Sequence, residues 1–212
     1  MKLFVLIFIL LVSFNATSAP QGDELYARHC SSCHGNDGKG GVGVPLALPS
    51  FLGGVSDIYL KKTIRHGRPG RIMPAFNSLS DAQVSAIIKF VRAWSDVLVP
   101  EEDNTVIKGD AKNGKKLFAS HCAQCHGEDG GGGKGTGVTF SRKRELPIIA
   151  PALNNSGFLA SASDVMIRDT IALGREGTPM TSMLVAGLSE TDINDLVSYI
   201  RSFEKSAAKL EQ

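Results

Sequence analysis

The stretch Cys30-Ser31-Ser32-Cys33-His34 has a counterpart in Cys122-Ala123-Gln124-Cys125-His126. Both stretches follow the pattern C-x-x-C-H, and together they contain all four cysteines of the 212-residue chain. Two intervening residues let one turn of the chain present both thiols together, with a histidine immediately after the second. Two intact copies with no cysteine left over are a much stronger signal than one.

The pattern C-x-x-C-H is the attachment sequence of c-type haem, in which each thiol adds to a porphyrin vinyl group and the histidine binds the iron. A four-cysteine zinc site or two redox dithiols would leave His34 and His126 without a role. The sequence therefore predicts two haem c groups. They are held covalently by Cys30, Cys33, Cys122 and Cys125, with His34 and His126 as iron ligands.

The N-terminus has the layout of a secretory signal peptide: Lys2, an apolar run over residues 3–12, and small residues up to Ala19. The apolar run is shorter than the roughly 20 residues that a membrane-spanning helix needs. We therefore expect residues 1–19 to be a signal peptide cleaved near residue 18 or 19. The mature protein would then be periplasmic and would have no membrane span.

The net charge of the chain is only +2, and the propionates of two haems would make the protein acidic. Nucleic acid is therefore not an expected partner, because nucleic-acid-binding domains carry a marked positive charge.

The chain contains a long internal repeat. The segment from Gly67 to Met73 matches the segment from Gly174 to Met180, at an offset of 107 (174 − 67). The two C-x-x-C-H stretches are offset by only 92 (122 − 30), so the second copy has gained residues between the haem motif and the methionine. A proline and acidic residues lie between the copies. We predict domains at residues 20–97 and 110–212, joined by a linker over residues 98–109.

Each copy is predicted to contain three helices. The first helix runs into the cysteine motif, the second covers about Ser56–His66 or Ser163–Leu173, and the third begins at a capping box after Ser80 or Ser189. Apolar residues with helical spacing follow each box: Val84, Ile87, Ile88 and Val91, then Ile193, Leu196, Val197 and Ile200. No segment of any length alternates as a strand would, so the fold class is all-α.

With haem motif, methionine and terminal helix present twice, each half resembles a class I cytochrome c domain. The whole resembles the two-domain dihaem cytochromes c of bacterial periplasms. The resemblance implies that the first and last helices of each domain cross around the haem. It also implies aromatic contacts at the crossing, with Gly22 and Tyr26 meeting Phe90 and Trp94, and with Gly114 and Phe118 meeting Tyr199 and Phe203.

The resemblance further implies the ligands opposite the proximal histidines, which would be Met73 and Met180. Met183 stays an alternative in the second domain, and His66 a weaker one in the first. His29 and His121 adjoin a haem cysteine and cannot reach across the ring. The carbonyls of Pro45 and Pro151 are expected to accept the second N–H of the proximal histidines. Arg68 and Arg175 share register and are candidates for haem propionates.

A histidine and a methionine on one iron fill its coordination positions and favour one-electron transfer over substrate binding. The predicted function is that of a dihaem electron carrier, not an enzyme. It would connect a dehydrogenase or quinol-oxidising complex to a terminal acceptor through redox protein partners. The alternative is a dihaem subunit of a catalytic complex, such as a sulfide-oxidising flavoprotein or an alcohol dehydrogenase. A dihaem peroxidase or a thiosulfate-oxidising enzyme is a third and weaker hypothesis.

Overall fold

The computed structural model describes residues 20–133 and 150–204, and over these residues it contains helices and no β-strand. The all-α fold class is therefore confirmed. The predicted signal peptide and most of the extra residues of the second copy lie outside the described ranges. Within those ranges, no helix is both long and apolar enough to cross a bilayer.

Both copies have the same order of helices. The first contains α1 (Gly22–His29), α2 (Ser31–His34), α3 (Pro49–Leu52), α4 (Asp57–His66) and α5 (Asp81–Arg92). The second contains α6 (Ala111–His121), α7 (Ala123–His126), α8 (Ser156–Ser161), α9 (Asp164–Leu173) and α10 (Glu190–Ser202). Three helices in each copy are the predicted ones, and the others are short turns of helix around the haem motif and before the second long helix.

Side chains at the helix starts explain where the long helices begin. Ser56 and Ser163 precede α4 and α9, and each accepts a hydrogen bond from a backbone N–H of the first turn. The capping boxes predicted at Ser80 and Ser189 are both present, with Gln83 and Asp192 returning the hydrogen bond. Such caps satisfy N–H groups that have no partner inside the helix.

The first and last long helices of each copy pack closely because a glycine lies at each crossing. A Cβ atom on Gly22 would collide with the carbonyl of Ala86, and one on Gly114 would collide with the carbonyl of Asp195. Aromatic rings fill the space beside these glycines. The expected contacts are confirmed, with ring centroids 5.4 Å apart for Tyr26–Phe90, 5.0 Å for Tyr26–Trp94, 5.3 Å for Phe118–Tyr199 and 5.9 Å for Phe118–Phe203.

An arginine at the end of the last helix fastens the middle of each domain. Arg92 donates to the carbonyls of Leu52 and Val55 and forms an ion pair with Asp57. Arg201 does the same in the second domain, where it donates to the carbonyls of Leu159 and Ala162 and pairs with Asp164. These arginines fix the segment before α4 and α9 against the terminal helix.

The segment predicted as a linker follows the surface of both domains. The carboxylate of Glu102 accepts a hydrogen bond from Ser56 and lies 3.4 Å from the Lys62 ammonium, and its side chain is 7% exposed. Farther along, the N–H of Ile107 donates to Asp164 at 2.8 Å. One acidic residue of the predicted linker, Glu102, is thus buried and attaches this segment to the first domain.

Candidate haem sites

The cysteine motif folds in the same way in both domains. Cys30 ends α1 and begins the short helix α2, and the N–H of His34 donates to the Cys30 carbonyl at 2.9 Å. The same bond joins His126 to Cys122 at 2.9 Å. One turn of helix therefore places each histidine beside its two cysteines.

All four thiols are free, and burial raises the pKa of Cys30 and of Cys122 to about 11, with a smaller contribution from the second cysteine of each motif. In the part of the chain that the structure describes, no three His, Cys, Asp or Glu side chains are grouped to hold a metal ion. All the cysteines belong to that part, so the four do not form the zinc site considered above.

In the first domain, a backbone carbonyl accepts a hydrogen bond from the imidazole of His34. Its Nδ1 lies 2.8 Å from the carbonyl oxygen of Val44. The expected acceptor, Pro45, is therefore wrong by one position. The N–H of Gly43 donates to the Cys33 carbonyl at 2.8 Å, and a Cβ on Gly43 would come within 2.7 Å of the imidazole. This close approach brings the carbonyl of the next residue, rather than that of the proline, to the ring.

In the second domain, Nδ1 of His126 lies 3.0 Å from the carbonyl oxygen of Pro151, which is the residue that the sequence suggested. His126 is 9% exposed, and burial lowers its pKa below the usual value, as it also does for His34. The hydrogen bond opposes this shift in both domains.

These features fit a haem group. A histidine whose Nδ1 donates to a carbonyl is fixed as the tautomer with Nε2 available to a metal, and burial keeps it neutral. Each such imidazole has two free thiols within one turn of chain, which is the donor set that covalent haem attachment requires. In each domain, Cys30, Cys33 and His34, or Cys122, Cys125 and His126, would hold the group.

The loops that contain the candidate distal methionines are closed by equivalent hydrogen bonds. The N–H of Arg68 donates to the Met73 carbonyl at 2.8 Å, and the N–H of Arg175 donates to the Met180 carbonyl at 2.8 Å. Met180 is thus the structural counterpart of Met73. Its neighbour Met183 instead donates its N–H to the Ile171 carbonyl at 3.1 Å.

The guanidinium groups of Arg68 and Arg175 reach the opposite domain. Arg68 donates to the Gly157 carbonyl at 3.3 Å and lies over the Phe158 ring at 5.9 Å. Arg175 donates to the Ser50 carbonyl at 3.1 Å and lies over the Phe51 ring at 5.3 Å. Burial lowers the pKa of Arg175. The propionate contacts suggested for these two arginines stay a prediction.

Sequence reasoning missed three residues of this arrangement: Gly43, which lies against the imidazole, and Phe51 and Phe158, which lie under the arginines. A signal for the phenylalanines was present, because they share the offset of the arginines (158 − 51). No sequence signal distinguishes Gly43 from the other glycines of its loop.

Comparisons with known proteins agree with the repeated architecture. A family model described as "Cytochrome C oxidase, cbb3-type, subunit III" matches residues 17–91, and one described as "Cytochrome c" matches residues 111–204. The similarity therefore extends over both halves of the chain. The connecting segment between the two matched ranges is not part of either match.

Curated relatives and a solved structure extend this similarity. The cbb3-type cytochrome c oxidase subunit FixP of Azorhizobium caulinodans is 29% identical over 193 residues, which cover 86% of this chain and 58% of FixP. The subunit CcoP of Rubrivivax gelatinosus is 34% identical over 118 residues, covering 55% of this chain and 36% of CcoP. The chain thus spans at most about three fifths of the length of these relatives.

Among solved structures, a chain of the reducing HAO-like protein complex of Kuenenia stuttgartiensis aligns with a TM-score of 0.54 and 22% identity. The alignment covers 86% of this chain and 94% of that one. At this identity the match shows a shared fold.

Proposed function

Because the chain consists of two tandem cytochrome c domains, each matched by its own family model, we propose that it transfers single electrons between redox proteins outside the cytoplasm. The proposal includes domains at residues 20–97 and 110–212, a connection over residues 98–109 and an export signal over residues 1–19. The names of the relatives, which are subunits of an oxidase, favour a terminal oxidase as the electron acceptor.

The proposal depends on one observation: the same arrangement of candidate iron ligands occurs in both domains. In each domain an imidazole donates to a backbone carbonyl, at 2.8 Å for His34 and 3.0 Å for His126. In each domain the methionine loop is closed by an arginine N–H at 2.8 Å. We assign His34 and Met73 to the first iron, and His126 and Met180 to the second.

A bound haem with an imidazole and a thioether supplies a one-electron couple with all iron positions filled. The protein's own part is to hold the ligands in place and to exclude water. The Nδ1 hydrogen bonds fix the imidazole orientation and raise its basicity. Met180 is partly buried and packs against the hydrophobic core, which limits access of water to the distal side of the second site.

A filled coordination shell also separates this function from peroxide or thiosulfate chemistry, which needs an open or unusual iron site. The alternative of a subunit in a dehydrogenase complex requires the same electron-transfer chemistry and differs only in the partner. The oxidase names of the relatives are the reason to prefer an oxidase.

The proposal is tested by reoxidation of the reduced holoprotein. In air alone, the reduced protein should stay reduced over minutes, and it should not react with hydrogen peroxide. Membranes that contain a cbb3-type oxidase should reoxidise it with consumption of oxygen, and cyanide should block the reaction. Rapid direct oxidation by peroxide would instead support a peroxidase, and no acceleration by the membranes would contradict the oxidase as acceptor.

A further inference from the structure

The interface between the two domains has a pseudo-twofold pattern in which the contacts of Arg68 and Arg175 are counterparts of each other. Arg68 reaches Gly157 and Phe158, and Arg175 reaches Ser50 and Phe51. The members of each pair of equivalents are separated by the same offset in the sequence. Chance contacts between two similar domains would not repeat in this reciprocal way.

The residue that follows each arginine is also bound by the opposite domain. The Pro69 carbonyl accepts a hydrogen bond from Asn155 Nδ2 at 2.8 Å. The Glu176 carbonyl accepts one from Ser50 Oγ at 2.6 Å. Each methionine loop is therefore held by the opposite domain through both the arginine side chain and the next carbonyl.

The same two arginines close the methionine loops through their backbones. The N–H of Arg68 donates to the Met73 carbonyl, and the N–H of Arg175 donates to the Met180 carbonyl, both at 2.8 Å. In each domain the arginine thus closes the methionine loop with its backbone N–H and contacts the other domain with its side chain. Each methionine loop therefore depends on the contact that its own arginine makes with the opposite domain.

Each arginine is also fixed within its own domain, so that the link is stiff. Arg68 donates to Thr63 Oγ1 and Arg175 to Thr170 Oγ1, each at 3.2 Å. These threonines lie in α4 and α9, the helices that precede the methionine loops. The arginine side chain therefore bridges its own helix to the surface of the opposite domain.

We propose that Arg68 and Arg175 are reciprocal positioning residues, which tie the methionine loop of each domain to the other domain so that the interface sets distal ligation at both irons. This inference rests on the assignment of Met73 and Met180 made under the proposed function. A cation lying over an aromatic face is stabilised by the ring quadrupole, which an aliphatic side chain does not supply. Phe158 is thus predicted to act on the first domain, and Phe51 on the second.

The test uses this crossed dependence. In Met180→Ala protein, the weak red-end charge-transfer band of ferric haem with a methionine ligand should come from Met73 alone. In that background, Phe158→Leu should lower the temperature at which half of the band is lost, and Phe51→Leu should leave it unchanged. In Met73→Ala protein the two substitutions should exchange their effects. The leucine variants keep an apolar side chain at Phe51, which is partly buried, and at Phe158, which is buried, and each serves as the matched control for the other.

If each phenylalanine affected only the methionine of its own domain, it would be acting as ordinary core packing, and the proposal would be overturned. Equal effects on both methionines, or no effect on either, would overturn it as well.

A second measurement does not depend on which methionine binds iron. Amide hydrogen exchange at the N–H of Arg68 should accelerate in Phe158→Leu, and exchange at the N–H of Arg175 should accelerate in Phe51→Leu. If the single-methionine variants fail to lose one band each, the ligand assignment is wrong, and the exchange rates still decide on the coupling. Unchanged exchange in both variants would contradict it.

Discussion

Met183 occupies in the second domain the position that Phe76 occupies in the first. The N–H of Met183 donates to the Ile171 carbonyl at 3.1 Å, and the N–H of Phe76 donates to the Ile64 carbonyl at 3.0 Å. Both side chains are partly buried and pack against the hydrophobic core. The offset between the copies is 107 at these residues and 109 at the capping-box serines Ser80 and Ser189 (189 − 80). The second copy thus gains two residues after Met183, which do not shift the register of Met180.

This equivalence predicts opposite results for the two methionines of the second domain. Met180→Ala should remove about half of the red-end charge-transfer band of the ferric protein, because a thioether ligand is lost from one of two irons. Met183→Phe introduces the residue of the first domain and should leave the band intact. Absorption spectra of the oxidised variants check both outcomes, with Met73→Ala as the reference for loss of one ligand. Loss of the band in Met183→Phe, with retention in Met180→Ala, would reverse the assignment.

The two haems should differ in midpoint potential. Burial around the axial ligands favours the less charged Fe(II) state, and His126 is buried, at 9% exposed, whereas His34 is only partly buried. We expect the second domain to have the higher potential. A spectroelectrochemical titration should resolve two one-electron waves. Met180→Ala should lower the midpoint potential of the wave at higher potential, and Met73→Ala should lower that of the wave at lower potential. A single wave, or the opposite assignment, would contradict the expected order.

The glycine at the second helix crossing should tolerate no side chain. In Gly114→Ala the new methyl group would collide with the Asp195 carbonyl, and overpacking of this kind costs about 1–3 kcal/mol. Chemical denaturation followed by helical circular dichroism should show that loss of stability. Lys115→Ala, at the exposed neighbouring position, is the control and should be close to neutral. Equal stability of the two variants would mean that the helices are farther apart than described.

The arginine at the end of the last helix should contribute more to stability than a surface arginine. Arg201→Met leaves the carbonyls of Leu159 and Ala162 without their donor, and an unsatisfied buried acceptor costs about 1–3 kcal/mol. Arg168→Met removes a more exposed ion pair with Glu190 and should cost less than about 1 kcal/mol. Thermal unfolding of both variants measures these losses of stability. A larger loss of stability in Arg168→Met than in Arg201→Met would contradict the fastening role of Arg201.

The local features of this fold were open to prediction from the sequence. The capping boxes after Ser80 and Ser189 depend on short spacings and are confirmed. The aromatic pairs at the helix crossings were implied by the family resemblance and are confirmed as well. The position of Met180 also followed from the repeat, although its distinction from Met183 needed the hydrogen bond to Ile171. The spacing of a capping box determines its position because the box acts within one helical turn.

The features that depend on distant parts of the chain were not predicted. The acceptor of the His34 N–H is Val44 rather than Pro45, because Gly43 lets the loop approach the ring one position earlier. Glu102 lies against α4 because Ser56 and Lys62 offer partners that composition alone does not reveal. The contact of Arg68 with Phe158 joins two domains, and no local pattern specifies how two domains meet.

The central claim, that this chain holds two covalently bound haems, is tested most directly by the intact mass of the protein purified from an export-competent host. We predict a mass equal to that of the polypeptide plus two haems, retained after denaturation and acid extraction because the links to Cys30, Cys33, Cys122 and Cys125 are covalent. Replacing Cys122 and Cys125 by serine should reduce this to one haem. A denatured wild-type mass with one haem or none would contradict the account.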